Sequence, residues 1–426
     1  MTNKKRMTNE ESMTVELASA RKQFPPGDSR LDEPLRKLAA HYCDRRQPHR
    51  ARPLVHELWQ LRKQNHGEVH RQTVESLSWL ASVLVSSGKA DRAESLLVDF
   101  ANRLWRDNRL PPELRAAVLN QLVELLYQRS RLDDALTICR RALQLLEPAP
   151  DRAVANAVTN ANVKINSTAR TGAEAEANAD PESNAEAFRT QLNRARNNLG
   201  ALHVSRGEYL EAQRAFERNL RDSRRRLAPG NPARVAQMLN LAALMRLRGR
   251  IAPSERMTVR AIRQCQRAHG WDHALVAQGM SNLGAYRLQG GRPQSAESLF
   301  RKALRIRRRL HPVGHPQICR ARRQLAEAKL ALGKHSDAER LLDRTRATLL
   351  RQNPVDEIQL AQTLCSLGFV YLAAGRLANC ERTLGESLGL QERILGPQNS
   401  QLIQTLNGLG CLNAARANHT AARVHH

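Results

Sequence analysis

A leucine returns every 42 residues along most of this chain, and that period decides what the chain can fold into. It stands at Leu38, Leu80, Leu122, Leu199, Leu241, Leu283, Leu325, Leu367 and Leu409. Every step is 42 residues except Leu122 to Leu199, which is 77, one period plus an insertion of 35. A fixed period of this size marks stacked structural repeats, each too small to bury its own apolar face.

Other columns keep the register. A small residue follows the leucine at Ala39, Ala81, Gly200, Ala242, Gly284, Ala326, Gly368 and Gly410, with Val123 the exception. Glycine stands eight residues past it at Gly88, Gly207, Gly249, Gly291, Gly333 and Gly375, and is replaced by Arg46, Ser130 and Ala417. Thirteen past it comes Ala51, Ala93, Ala135, Ala212, Ser254, Ala296, Ala338, Cys380 or Ala422. The apolar spacing around each leucine is helical. The glycine suits the left-handed cap that ends a helix. A second helix follows, as over Glu208 to Arg226, with Ala212, Phe216 and Leu220 on one stripe. Ten residues before the leucine stand His70, Asn231, His273, His315 and Asn399, two of them followed by Pro232 and Pro316. Asparagine before proline is a helix-start signal, and histidine in the same column is expected to do the same work. Each unit is thus an antiparallel helical hairpin, and the fold class is an all-α solenoid of about nine such units.

These residues carry a resemblance. Asn197-Asn198-Leu199-Gly200, the run Gly207 to Ala212 and the loops Gly230-Asn231-Pro232 and Gly314-His315-Pro316 resemble a tetratricopeptide repeat. The 42-residue period is similar to the kinesin light chain type. The resemblance covers roughly residues 30–147 and 188–424. It implies a right-handed superhelix whose first helices line a concave face that holds an extended peptide. The ~30 residues ahead of the repeats are too short for the three or four heptads of a coiled coil, so a motor subunit is not expected.

On that face the residue before the leucine is Asn198, Asn240, Asn282 and then Gln324, beside Asn197. Side-chain amides both donate and accept, so such a ladder can hold a peptide backbone without reading its side chains. Arg194, Gln278 and Arg320 stand five residues before the leucine and Arg323 two before it; the arginines could fork onto carboxylates. The same amides could equally tie neighbouring repeats together. The middle units, 188–345, are the expected binding region.

Four segments are expected: a polar N-terminal piece (1–30), partly disordered with a short helix over Glu10 to Lys22; three units (31–147); an Ala- and Asn-rich, acidic, flexible insertion (148–187); and six units (188–426), the last ending partway through a second helix. The insertion's composition cannot bury enough surface to fold alone.

The net charge of +27 is carried mostly by arginine, since ten of the 68 basic residues are lysine. Arg224 to Arg226, and Arg305 with Arg307 to Arg309, are expected in the last turns of second helices, where positive charge complements the helix dipole. Aromatics are only 4% of the chain and do not interleave with the basic runs. The favoured partner is a protein or peptide, acidic in character, gripped by a scaffold or adaptor. A nucleic acid drawn by the positive field is the second reading, and a regulatory subunit of a separate enzyme the third.

His66/His70, His269/His273 and His311/His315 have the spacing of zinc-binding pairs. All three fall in one register and none carries the Glu of a metalloprotease motif, so they read as repeat punctuation. No metal and no cofactor is expected. No nucleophile–base–oxyanion set is legible, so no enzyme is expected either. Seven cysteines without a Cys-x-x-Cys pair read as reduced and packed. No stretch approaches the ~18 apolar residues of a membrane helix, and the first 30 residues lack a signal-peptide core. A cytoplasmic location is the expectation.

Overall fold

The computed structural model describes residues 9–45, 47–106, 109–147, 181–352, 355–397 and 399–424. These form helices and no strand. The helices are α1 (Asn9–Gln23), α2 (Asp32–Asp44), α3 (Pro48–His66), α4 (Arg71–Ser86), α5 (Ala90–Arg106), α6 (Pro112–Gln128), α7 (Leu132–Leu146), α8 (Pro181–Ser205) and α9 (Tyr209–Arg226). They continue as α10 (Pro232–Leu247), α11 (Ile251–His269), α12 (Ala274–Gln289), α13 (Pro293–Leu310), α14 (Pro316–Ala331), α15 (His335–Leu350), α16 (Glu357–Ala373), α17 (Leu377–Leu395) and α18 (Ile403–Val424). The chain divides into two units, residues 1–206 with α1 to α8 and 207–426 with α9 to α18.

Every repeat leucine lies on a first helix, the even-numbered ones from α2 to α18. In the first unit α2/α3, α4/α5 and α6/α7 pack as hairpins. In the second, α10/α11, α12/α13, α14/α15 and α16/α17 do the same. The column thirteen past the leucine is closed to solvent: Ala51, Ala93, Ala135, Ala212, Ser254, Ala296, Ala338 and Cys380 are all 0% exposed. Where Ser254 replaces alanine, its hydroxyl donates to the Ala242 carbonyl at 2.6 Å. Burial there is therefore not bought with an orphaned polar group.

Helix ends follow the register as well. Gly88, Gly207, Gly249, Gly291, Gly333 and Gly375 have φ between 69° and 76°. Ser130, in the same column, is driven to φ 58°, and is the one non-glycine residue there among the described residues. The Nδ1 atoms of His70, His273 and His315 accept from the backbone N–H of Gln72, Leu275 and Gln317 at 3.3, 3.2 and 3.0 Å. Asn231 and Asn399 cap their helices by the same geometry. His66/His70, His269/His273 and His311/His315 stack as ring pairs, with centroids 4.5, 5.0 and 3.8 Å apart. Among the described residues no group of three or more His, Cys, Asp or Glu is placed to hold a metal.

A further column ties units together. Fourteen residues past the leucine, except at Arg52 and Leu136, a carboxylate or amide reaches a base of the next repeat. Glu94 meets Arg129 and Arg131, Gln213 meets Arg248, and Glu255 meets Arg287. Glu297 meets Lys334 at 2.9 Å, Glu339 meets Arg376 at 2.5 Å, and Glu381 meets Arg416. Glu297 is 6% exposed and is held below the usual carboxylate range, first by Lys334.

The two ends and the insertion differ from the sequence reading in detail. The expected N-terminal helix is α1, with Leu17 and Ala20 buried in the first unit's core. Residues 181–187 of the expected insertion are the opening turns of α8, whereas 148–180 lie outside the described residues. The last unit is not a hairpin: α18 runs unbroken to Val424 because Ala417 stands where glycine would stop it. Cys139, Cys265, Cys319, Cys365 and Cys380 are buried, Cys43 is half-buried and Cys411 is exposed, all as free thiols. Burial pushes the Cys139 thiol up to about 12. No helix among the described residues is long and apolar enough to cross a membrane.

Candidate functional site

Three successive first helices of the second unit, α14, α16 and α18, line a groove of about 880 Å³. The repeat puts equivalent side chains side by side along it. Five residues before the leucine come Arg320, Gln362 and Gln404. Two before it come Arg323, Cys365 and Asn407, and two after it Glu327 and Phe369. Ala326, Leu330, Leu342, Val370 and Ile403 supply apolar surface between them.

A chain of polar contacts runs from α14 across α16 to the turn that leads into α18. The Arg323 guanidinium donates to Gln359 Oε1 at 2.9 Å and to Gln362 Oε1 at 2.6 Å. Gln362 Nε2 in turn donates to Gln401 Oε1 at 3.4 Å. Gln359 is itself fixed, because its N–H donates to the carboxylate of Asp356, the cap of α16. Beneath, Thr405 donates to Gln391 at 2.8 Å, holding α18 to α17. Gln324 Oε1 is buried and has no donor among the described residues. A buried carbonyl oxygen left this way costs free energy until something donates to it.

The electrostatics are one-sided. The α14 wall is cationic: Arg320 is exposed at the rim, and Arg323 is lowered to about 10 by burial. Arg307, on α13, is 6% exposed, with no ion pair among the described residues. Burial, with Arg320 beside it, lowers it to about 10. Arg323 and Arg307 stay charged at neutral pH. The α16 and α18 walls offer neutral amides and hydroxyls. Glu327 is the exception on α14: solvent reaches it, yet the groove's walls crowd it, and that desolvation raises its carboxyl. Such a groove can fork onto a carboxylate at one end and trade hydrogen bonds with backbone amides along the rest.

Of the residues singled out in the sequence, Arg320, Arg323 and Gln324 lie in this groove. Arg194 is engaged elsewhere, bound bidentately to Glu124 on α6 at 2.6 and 2.7 Å. Asn197 and Asn198 are half-buried on α8, with Asn198 Nδ2 unsatisfied among the described residues. Asn240 on α10, and Gln278 and Asn282 on α12, are half-buried outside the groove. Gln362, Gln401, Gln404, Asn407 and Phe369 were not singled out. Stepping 42 or 84 residues from Arg320, Arg323 and Glu327 reaches four of the five; Gln401 lies off those columns.

Models described as tetratricopeptide repeat match residues 234–309 and 359–426, 115–147 and 194–233, and 320–344. Curated proteins give no match to the chain. Among solved structures, a kinesin light chain of nearly identical TPR-like repeats from Podosopora anserina is 19% identical, over 47% of this chain and 95% of that one, with a TM-score of 0.40. A Rap protein complexed with Competence and Sporulation Factor is 13% identical over 96% and 98%, with a TM-score of 0.48. The quorum sensor NprR from B. thuringiensis is 11% identical over 90% and 97%, with a TM-score of 0.45.

Proposed function

Because this chain belongs to the tetratricopeptide repeat proteins, a family of protein-interaction scaffolds, we propose that it grips an extended, acidic peptide segment in the groove of α14, α16 and α18. The observation that carries this is the polar path from Arg323 through Gln362 to Gln401, with Arg320 exposed at its rim and, among the described residues, no donor to the Gln324 carbonyl oxygen. A peptide carboxylate meets Arg320, a backbone N–H meets Gln324, and the amides of α16 and α18 take the rest. Many small polar contacts on a preformed surface give affinity without large reordering. The peptide-binding residues are then Arg320, Arg323 and Gln324, joined by Gln362, Gln401, Gln404 and Asn407. The Asn198, Asn240, Asn282 column stays outside this site.

The test is fluorescence anisotropy of labelled acidic ten-residue peptides with the full chain. Arg320→Glu should weaken the best binder at least ~10-fold, a charged hydrogen bond turned into repulsion. Gln324→Ala should weaken it by a smaller factor, and Asn240→Ala should leave it unchanged. Equal affinity for Arg320→Glu and the natural chain would refute the site.

A further inference from the structure

The repeat register carries a second pattern, on the opposite member of each hairpin. Nineteen residues past the leucine stand Arg260, Lys302 and Arg344; twenty-two past it stand Arg221, Arg263 and Arg305. All six are exposed, and none has an ion pair among the described residues. On α11 the stripe extends to Arg256 and Arg267, giving arginine at i, i+4, i+7 and i+11, one narrow line ~16 Å long. The helix-dipole account covers last-turn residues such as Arg308. It does not reach Arg260, Arg263, Lys302 or Arg305, which sit within their helices.

The local counter-charges are already committed. The one carboxylate of α11, Glu255, is held by Arg287, and the one carboxylate of α13, Glu297, is buried against Lys334, Lys329 and Arg301. The pattern is also bounded. Only on α9, α11 and α13 are both columns cationic together: elsewhere the nineteen-past column holds Glu57, Asp99 and Arg141 on α3, α5 and α7 and Glu386 on α17, and the twenty-two-past column holds Gln60, Asn102, Gln144 and Gly389 on the same helices. Arginine-rich composition alone would not stop at those helices. Cations of successive units also sit close enough to act on a common neighbour. Arg234 is held below the usual arginine range by burial and then by Arg224 and Arg260. Arg322 is lowered by burial, with Arg308 and Arg344 among the opposing charges. Arg234 Nε and Arg322 Nη1 are buried without an acceptor among the described residues.

We infer that the second-helix face of α9, α11, α13 and α15 is a binding surface for the phosphate backbone of a nucleic acid. A protein partner would want apolar and aromatic anchors at the centre of its interface. Here the two stripes hold no aromatic residue, being arginine and lysine on α9, α11 and α13 and Arg344 with Ala347 on α15, and the exposed Trp271 lies beyond them in the loop after α11. Rows of guanidinium and ammonium groups without base-stacking rings read backbone charge, not sequence. The contact therefore suits a duplex, whose bases are already stacked, and carries little sequence preference.

The test uses the full chain and a fluorescein-labelled 20-base-pair DNA duplex across 50–300 mM salt. The patch variant is Arg260→Glu/Arg263→Glu/Lys302→Glu/Arg305→Glu. A scattered variant makes the same charge change at exposed sites elsewhere, Arg92→Glu/Arg140→Glu/Arg189→Glu/Arg382→Glu. Melting followed by circular dichroism confirms that both fold. The natural chain should bind with a steep log–log salt slope, and the patch variant should lose at least ~10-fold at 100 mM salt and about 3–4 units of slope. The scattered variant should stay within ~3-fold of the natural chain. Equal losses in both variants would reduce the effect to net charge and overturn the assignment. So would binding to phosphatidylserine vesicles with none to duplex, or no duplex binding at 50 mM salt.

Discussion

At the scale of single residues, the chain balances volumes across several of its hairpins. The residue after the leucine faces the one seventeen past it. Where the second is Phe300 or Leu384, the first is Gly284 or Gly368, and a Cβ there would lie 2.6 or 2.4 Å from the ring or the leucine methyl. Where the first is Val123, the second is Cys139, both essentially unexposed. The exception in the small-residue column is thus matched by a smaller partner rather than being a fault in the repeat. Gly284→Ala should cost about 1–3 kcal/mol through overpacking against Phe300. Adding Phe300→Leu should recover part of that loss, and a double-mutant cycle in urea measures the coupling. Zero coupling would show that the two sites do not share a volume. Ser130 gives the converse case. Its φ of 58° is the conformation its six glycine counterparts adopt freely. Ser130→Gly should raise stability by about 1 kcal/mol, since a side chain is strained in the left-handed region. A lower thermal midpoint would refute that account.

At the scale of elements, nearly every helix was legible because each boundary is written in local chemistry. Gly207, Gly249 and Asn231 stop or start helices whatever lies across from them. The continuous α18 was misread because a hairpin was assumed by periodicity although Ala417 supplies no stop. The groove was half-legible. Arg320 and Arg323 announced themselves by charge, but Gln362 and Gln404 are ordinary amides until tertiary packing aligns three first helices. Arg194 misled for the same reason, since nothing local reveals Glu124 as its partner. The histidine caps make a pH prediction at this scale. Each accepts at Nδ1, so each works only as the neutral ring. His273, packed against Cys265 Sγ at 3.3 Å and stacked on His269, is held below the usual histidine range by burial and then by His269. His66, stacked on His70, is lowered the same way. A histidine lowered by folding binds its proton more readily when unfolded. Its contribution is therefore whole above the unfolded value near ~6.5 and is lost as pH falls through the folded one. The thermal midpoint should drop between pH 7.5 and 5.5. In His70→Asn/His273→Asn/His315→Asn, where a cap that does not titrate replaces each ring, that drop should shrink. Parallel midpoint curves would exclude the caps as its source.

At the scale of the whole molecule, the charge of +27 has to be either tolerated or used. Glu94, Glu255, Glu297, Glu339 and Glu381 are committed to ties between repeats. Basic residues outnumber acidic ones by 6 to 3 on α9, 4 to 1 on α11 and 6 to 1 on α13. Like charges at i, i+3 and i+4 each destabilise a helix by about 0.2–0.5 kcal/mol. Arg256, Arg260, Arg263 and Arg267 make three such pairs on α11, and Lys302, Arg305 and Arg308 make two more on α13. Concentrating charge this way thus weakens the free protein, most of all at low salt, where screening is poor. Replacing Arg260, Arg263, Lys302 and Arg305 with Gln should raise the thermal midpoint at 20 mM salt by a few degrees, on the order of 2–4 °C per kcal/mol for a unit of this size. At 0.5 M salt the gain should fall by about half or more. A surface that gains stability on losing its charge, while losing its hold on duplex, keeps that charge for binding. If the Gln variant is no more stable at low salt, the arginine stripes carry no strain, and their placement needs no function to explain it.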